Sequence, residues 1–155
     1  AKVTYHNDTG RNDIVAAKVS WNKETAWFYV RTCEPITTPQ GTNWMLLLMD
    51  ADADPKTGWL GYDFVFNRAA PGSLQRNAGN NFNWASAGAI QCRVVGNEME
   101  LAIPWEALGM KSPPAMLDFK WADNCIFAGD WADFTLNGDA APNDRFNYRA
   151  QLEKR

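Results

Sequence analysis

Apolar residues in this chain recur at alternate positions over short runs, and the runs are separated by turn-forming residues. Ile14–Trp21 and Thr25–Thr32 flank Asn22-Lys23, and together they predict a β-hairpin. In Glu98–Ile103, Met99, Leu101 and Ile103 alternate with Glu98, Glu100 and Ala102, so that strand has one dry and one wet face. With Ala89–Val95 and a Gly96-Asn97 turn it makes the clearest hairpin of the sequence. Trp44–Met49 is unbroken apolar, the pattern of a central strand covered on both sides. Tyr62–Asn67 and the alternating Leu117–Trp121 add strands, and Phe134–Leu136 and Phe146–Tyr148 are placed to close the sheets. Helix is confined to Pro104–Gly109, where Pro starts and Gly ends a turn or two. Residues around Pro71-Gly72 and Gly79-Asn80-Asn81 read as loop. The expectation is an all-β antiparallel β-sandwich of jelly-roll type, in a single domain spanning residues 1–155, with no internal repeat.

Composition narrows the chemistry. At 155 residues with 46% hydrophobic content, the chain is long enough to bury a core without staples. A net charge of -3 with scattered basic residues argues against nucleic acid as a partner, because phosphate binding needs clustered Lys and Arg. No apolar stretch reaches the length of a membrane span. The opening Ala1–Tyr5 reads as a cut within a longer protein, so the domain is expected to be excised from one. Cys33, Cys92 and Cys125 show no metal-ligand spacing and read as small buried hydrophobes. The lone His6 leaves no multi-His metal site and makes a Ser-His-Asp arrangement a poor fit.

The sharpest motif is Asp50-Ala51-Asp52-Ala53-Asp54-Pro55-Lys56-Thr57-Gly58. Carboxylates at Asp50, Asp52 and Asp54 leave the end of an apolar strand, and a curled loop brings them onto one hard cation. Asp63 lies close enough downstream to join them. The helix–loop–helix calcium motif is excluded, because Pro55 and Gly61 stand where it requires Gly and Glu. Two readings stand: a structural Ca2+ site, or a solvated turn whose carboxylates accept backbone N–H bonds. Asp8, Asp13, Asp123 and Asp130 are weaker acidic candidates.

Eight Trp are an unusual share for this length. Trp21, Trp27, Trp44 and Trp121 fall within strand patterns and read as core. Trp59, Trp84, Trp105 and Trp131 stand beside Gly, Asn, Pro or Asp, where a ring can stack on a sugar or cap the core edge. Arg76, Asn80, Asn81 and Asn83 surround Trp84 in sequence and offer planar groups suited to sugar hydroxyls.

The order "KVSWNKETAWFYVRT", "NWMLLLMDADADPKTGWLGYDFVFNR", "NEMELAIPWEALG", "LDFKWADN" and "DFTLNGDAAPNDRFNYR" resembles the family 9-type carbohydrate-binding modules. These include the C-terminal domains appended to bacterial glycoside hydrolases. The likeness runs over roughly residues 13 to 149, and "DADADPKTGW" with "GYDF" is its most specific part. It implies a β-sandwich, bound calcium, sugar recognition without catalysis, and a secreted or cell-surface bacterial location. It also implies a sugar held between two Trp rings. Here "TTPQGTN" offers no aromatic before Trp44, and "NGDAAPNDRFNY" offers only Phe146 and Tyr148.

Other functions compete. Glycoside hydrolysis needs two carboxylates, which 18 acidic residues supply without discriminating anything. A structural accessory domain would pack on the parent catalytic domain and bind no sugar, displaying a large apolar patch. A haem protein would need His6 and one of Met45, Met49, Met99, Met110 or Met116 as axial ligands. The reading that accommodates most of the residues is a non-enzymatic, calcium-stabilised module. It targets a parent glycoside hydrolase to polysaccharide or oligosaccharide through Trp59 and Trp84.

Overall fold

The alternation seen in the sequence becomes two antiparallel sheets in the computed structural model, which describes residues 10–40, 43–124, 129–130 and 132–152. Strands β1 (Ile14–Trp21), β2 (Thr25–Thr32), β7 (Cys92–Val95) and β8 (Glu98–Pro104) form a four-stranded sheet in the order β1-β2-β8-β7. The larger sheet holds β3 (Leu46–Asp50), β4 (Phe64–Phe66), β5 (Ser73–Asn77), β6 (Trp84–Ala89), β9 (Met116–Asp123), β10 (Asp139–Ala141) and β11 (Tyr148–Gln151). Its order is β10-β9-β3-β4-β5-β6. β11 pairs with the first half of β9 and β10 with the second half, so the two short strands share one edge.

Alternate residues point to opposite faces of a strand, and this builds the core between the sheets. Ala26, Phe28 and Val30 from β2 and Met99, Leu101 and Ile103 from β8 meet Leu117, Phe119 and Trp121 from β9. Phe28 and Phe119 join the two sheets edge to face, with ring centroids 5.4 Å apart. The turn of β1–β2 closes on Asn22, whose Oδ1 accepts the backbone N–H groups of Glu24 and Thr25, both at 2.8 Å.

The larger sheet is dry on its other face as well. Leu46, Leu48, Val65, Ala122 and Ala140 lie there beneath Trp59, Tyr62 and Phe134. This is why β3 reads as a continuous apolar run. Lys120, opposite Leu48 in the ladder, is fully buried there; its Nζ donates to the Pro142 carbonyl and lies 5.4 Å from the Phe134 ring centroid. Buried Asp123 accepts from Met45 N–H and Arg11 Nε, each at 2.8 Å, and Asp139 accepts from Ile14 N–H at 2.5 Å. These carboxylates tie the chain before β1 to the larger sheet.

Several boundaries differ from the sequence reading. Trp44 precedes the strand, because Met45 adopts a left-handed conformation (φ 44) that delivers its N–H to Asp123. The expected Ala89–Val95 strand is two strands: β6 stays in the larger sheet, and the chain passes through Ile90 to β7 in the smaller one. Phe134 and Leu136 belong to a helical turn, α1 (Asp133–Leu136), and not to a closing strand. β5, β6 and β10 were not expected as such; the first two are polar or small-residue strands near the open edge, where only one face needs to be apolar.

Candidate functional site

The chain between β3 and β4 is wound by its own polar groups. Asp52 Oδ1 accepts the N–H of Asp54 at 2.9 Å and the Thr57 hydroxyl at 3.0 Å, and Asp54 Oδ1 accepts the N–H of Lys56 at 3.0 Å. Trp59 and Tyr62 then exchange both backbone hydrogen bonds at 2.9 Å. Leu60 (φ 56) and Gly61 (φ 95) make the turn between them, both in the left-handed half of backbone space. Gly58 admits no side chain, since a Cβ would stand 2.1 Å from the Tyr62 carbonyl oxygen.

This winding gathers Asp50, Asp52 and Asp63, each with a carboxylate oxygen within 4.8 Å of the others. Asp54 does not join them: it is exposed, and its carboxylate is spent on the turn at Lys56. Asp63 Oδ2 accepts the Ala51 N–H at 2.9 Å. Asp50 is 4% exposed, and its Oδ1 has no hydrogen-bond partner. Burial pushes its carboxyl up to about 7, helped by the charges of Asp63, Asp52 and Asp118. Asp63 is raised as well, chiefly by burial. Arg149 binds Asp118 through two hydrogen bonds, at 2.8 and 2.7 Å, beside the same site. Three converging carboxylates with a buried, unpartnered oxygen fit a hard, oxygen-seeking cation. Gly61 preserves the space, since a Cβ there would stand 3.1 Å from Asp50 Oδ2.

The same loop delivers Trp59 and Tyr62 to an aromatic cluster over the outer face of the larger sheet. Trp59 packs against Phe82 at 4.8 Å, Phe134 at 5.9 Å and Tyr62 at 6.1 Å, and Phe82 packs edge to face on Trp84 at 5.9 Å. The cluster floors a small cleft of about 20 Å³, lined also by Asn43, Arg68, Asp130 and Asp133. The Arg68 guanidinium lies 4.9 Å over the Phe82 ring and donates to Gln75 Oε1 at 3.2 Å. Its burial lowers its basicity. Asp133 accepts from Asn137 Nδ2 at 2.5 Å and closes one wall of the cleft.

The sequence-predicted sugar ligands divide. Trp84 joins the cluster half-buried, with its Nε1 and the facing Asn77 Oδ1 both buried without hydrogen-bond partners. Trp59 is in the cluster but only 8% exposed, so it serves as floor and not as an open platform. Trp105 is a correction: it is 1% exposed, because the 3-10 turn Trp105–Leu108 folds it back into the core. Its Nε1 donates to the Asn22 carbonyl at 3.0 Å. Arg76 is exposed but alternates with Gln75 and Asn77, so it faces away from Trp84. Asn81 and Asn83 are exposed in the preceding loop, with Asn83 N–H on the Asn81 carbonyl at 2.7 Å. Trp131 lies outside the described residues, as do His6, Asp8 and Cys125. Among the strand Trp, Trp44 and Trp121 are core as expected, whereas Trp21 at the end of β1 is 39% exposed and Trp27 is half-buried.

Sequence reasoning missed Arg68, Phe82, Phe134 and Asp133. Their one signal was clustering near Trp and Asn in turn-rich segments, which does not reveal that three separate loops converge. Met45, Met49 and Met99, entertained as haem ligands, are fully buried in the core. Cys33 is exposed and Cys92 half-buried, both as free thiols. No family model matches the chain, and neither a curated protein nor a solved structure matches it.

Proposed function

We propose that the chain is a non-catalytic carbohydrate-binding module, stabilised by a calcium ion and serving a polysaccharide-degrading enzyme at or outside the cell surface. The observation that carries the reading is the aromatic surface over the larger sheet, where Trp59, Phe82 and Phe134 floor a small cleft rimmed by Asn43, Arg68, Asp130 and Asp133. Sugars present apolar C–H faces and a belt of hydroxyls, so they are held by flat rings below and by guanidinium, amide and carboxylate groups around the edge. Phe82 and Trp84, both half-buried, are the rings with area left to offer. Asp50, Asp52 and Asp63 would hold the cation, whose charge neutralises three crowded carboxylates. The loop that carries them then holds Trp59 and Tyr62 over the sheet. The resemblance to family 9-type modules points the same way.

Such a shallow site implies affinities of roughly −8 to −4 kcal/mol, micromolar to millimolar. Calorimetric titration with glucose-, xylose- and mannose-based oligosaccharides and their polysaccharides, in calcium, tests the reading. Phe82→Ala and Arg68→Ala are expected to weaken binding at least tenfold while leaving the far-UV circular dichroism unchanged. Silence of the folded protein across the panel would overturn the proposal.

A further inference from the structure

The two sheets differ on their outer sides. Trp59, Tyr62 and Phe134 cover the outer face of the larger sheet, whereas the outer residues of the smaller sheet are exposed or half-buried. Alternation decides which side chains stand there. Ala26, Phe28 and Val30 of β2 point into the core, so Trp27, Tyr29 and Arg31 point out. Trp27, which the sequence pattern assigns to the core, is therefore on the open face. Strand pairing adds Lys18 of β1, Glu98 and Glu100 of β8, and Arg93 of β7 to the same face.

Trp27 is half-buried, and its cross-strand neighbours are Ser20 and Ala102, too small to cover an indole. The ring is left as an open platform on an inner strand of the sheet. Tyr29 follows two residues along β2, about 7 Å away at strand spacing. It is held from two sides: Lys18 Nζ lies 5.3 Å from its ring centroid, and its hydroxyl donates to Glu98. Beside it opens a concavity of about 290 Å³, lined by Arg93, Val95, Glu98, Met99 and Glu100. The cleft over the larger sheet has only about 20 Å³, so this face has the greater room for a sugar ring.

We infer that the outer face of the smaller sheet is a second carbohydrate-binding face, which takes a neutral glycan chain across Trp27 and Tyr29. The inference rests on the proposed carbohydrate-binding function and deepens it: with a face on each side of the sandwich, one module holds two chains. The charges of the face select the occupant. Lys18, Arg31 and Arg93 are nearly balanced by Glu98 and Glu100, which suits an uncharged ligand and not a polyanion. Lys and Glu beside the rings are also the residue types depleted from the centre of a protein–protein interface. For a sugar they are assets, since indole and phenol rings meet its C–H faces while guanidinium, ammonium and carboxylate groups meet its hydroxyls. Arg31, Arg93 and Glu100 are held in no ion pair among the described residues, so their polar groups are available.

The test is calorimetry in calcium with cellohexaose, xylohexaose and mannohexaose on the native chain, Trp27→Thr, Trp27→Tyr, Arg93→Ala and Phe82→Ala. The hexasaccharide that binds should occupy two sites per native chain. Trp27→Thr, a strand former in place of the ring, should remove one of them, and Arg93→Ala should weaken that one at least threefold. Trp27→Tyr, which keeps a flat ring, should retain both sites. Phe82→Ala acts on the opposite side and should leave the Trp27 site at its native affinity. One site per native chain, weakened by Phe82→Ala and untouched by Trp27→Thr and Arg93→Ala, would overturn the second face and leave the carbohydrate reading standing. Silence of all three hexasaccharides would overturn both.

Discussion

Asp50→Asn, studied without metal and then with calcium, isolates the buried carboxylate at the centre of the acidic loop. Its carboxyl stands near 7 in the folded protein, against an ordinary value of 3.8. An acid whose folded value is raised stays protonated in the native state while the unfolded chain has already ionised. The unfolded state then binds fewer protons, so stability falls as pH rises from about 4 to about 7. A difference of about three pH units, at about 1.4 kcal/mol each, places the loss near 4 kcal/mol. For a chain of 155 residues, about 2–4 °C per kcal/mol makes this roughly 10 °C in Tm. In chelator, the wild-type Tm should therefore drop between pH 5 and pH 8 more steeply than that of Asp50→Asn, whose neutral amide has nothing to lose. Calcium should offset much of that loss at pH 8. A hundredfold excess over the dissociation constant adds about 2.7 kcal/mol to the wild type, and the variant should gain far less. Differential scanning calorimetry over a pH series reads both arms. Parallel pH slopes in chelator would sink the argument from burial, and an equal calcium response in both proteins would remove Asp50 from the cation site.

Gly58→Ala should destabilise by about 2 kcal/mol or more, because its methyl group would stand 2.1 Å from the Tyr62 carbonyl oxygen at a φ of 63; an unchanged Tm would show that the loop is not wound as described. Trp105→Ala should cost about 3–5 kcal/mol in chemical denaturation through the cavity it leaves, yet leave oligosaccharide affinity of the folded fraction intact. A selective loss of affinity would restore Trp105 as a binding residue.

Legibility in the sequence followed how local the deciding interaction was. β1 and β2 were readable to the residue, because their alternation and the Asn22 turn lie within one hairpin. β5, with the sequence SLQRN, was not, because its strand character comes from pairing between β4 and β6 and not from its own pattern. Around the site, the three converging carboxylates, Asp50, Asp52 and Asp63, were legible among four candidates, and only the curl of the loop sets Asp54 aside.

By itself, then, the amino-acid order determined the all-β class, the hairpins and the doubly covered central strand, since period-two patterning and turn chemistry act between neighbours. Which aromatics are core and which line a cleft was decided only in three dimensions. Trp105 follows a proline and starts a turn, yet the turn folds it inward beneath Asn22. Phe82, Trp59 and Phe134 come from segments far apart in sequence, and they meet because the outer face of the larger sheet is apolar and must be covered. Burial is a property of what lies on the other side of a residue, and no local pattern carries that information.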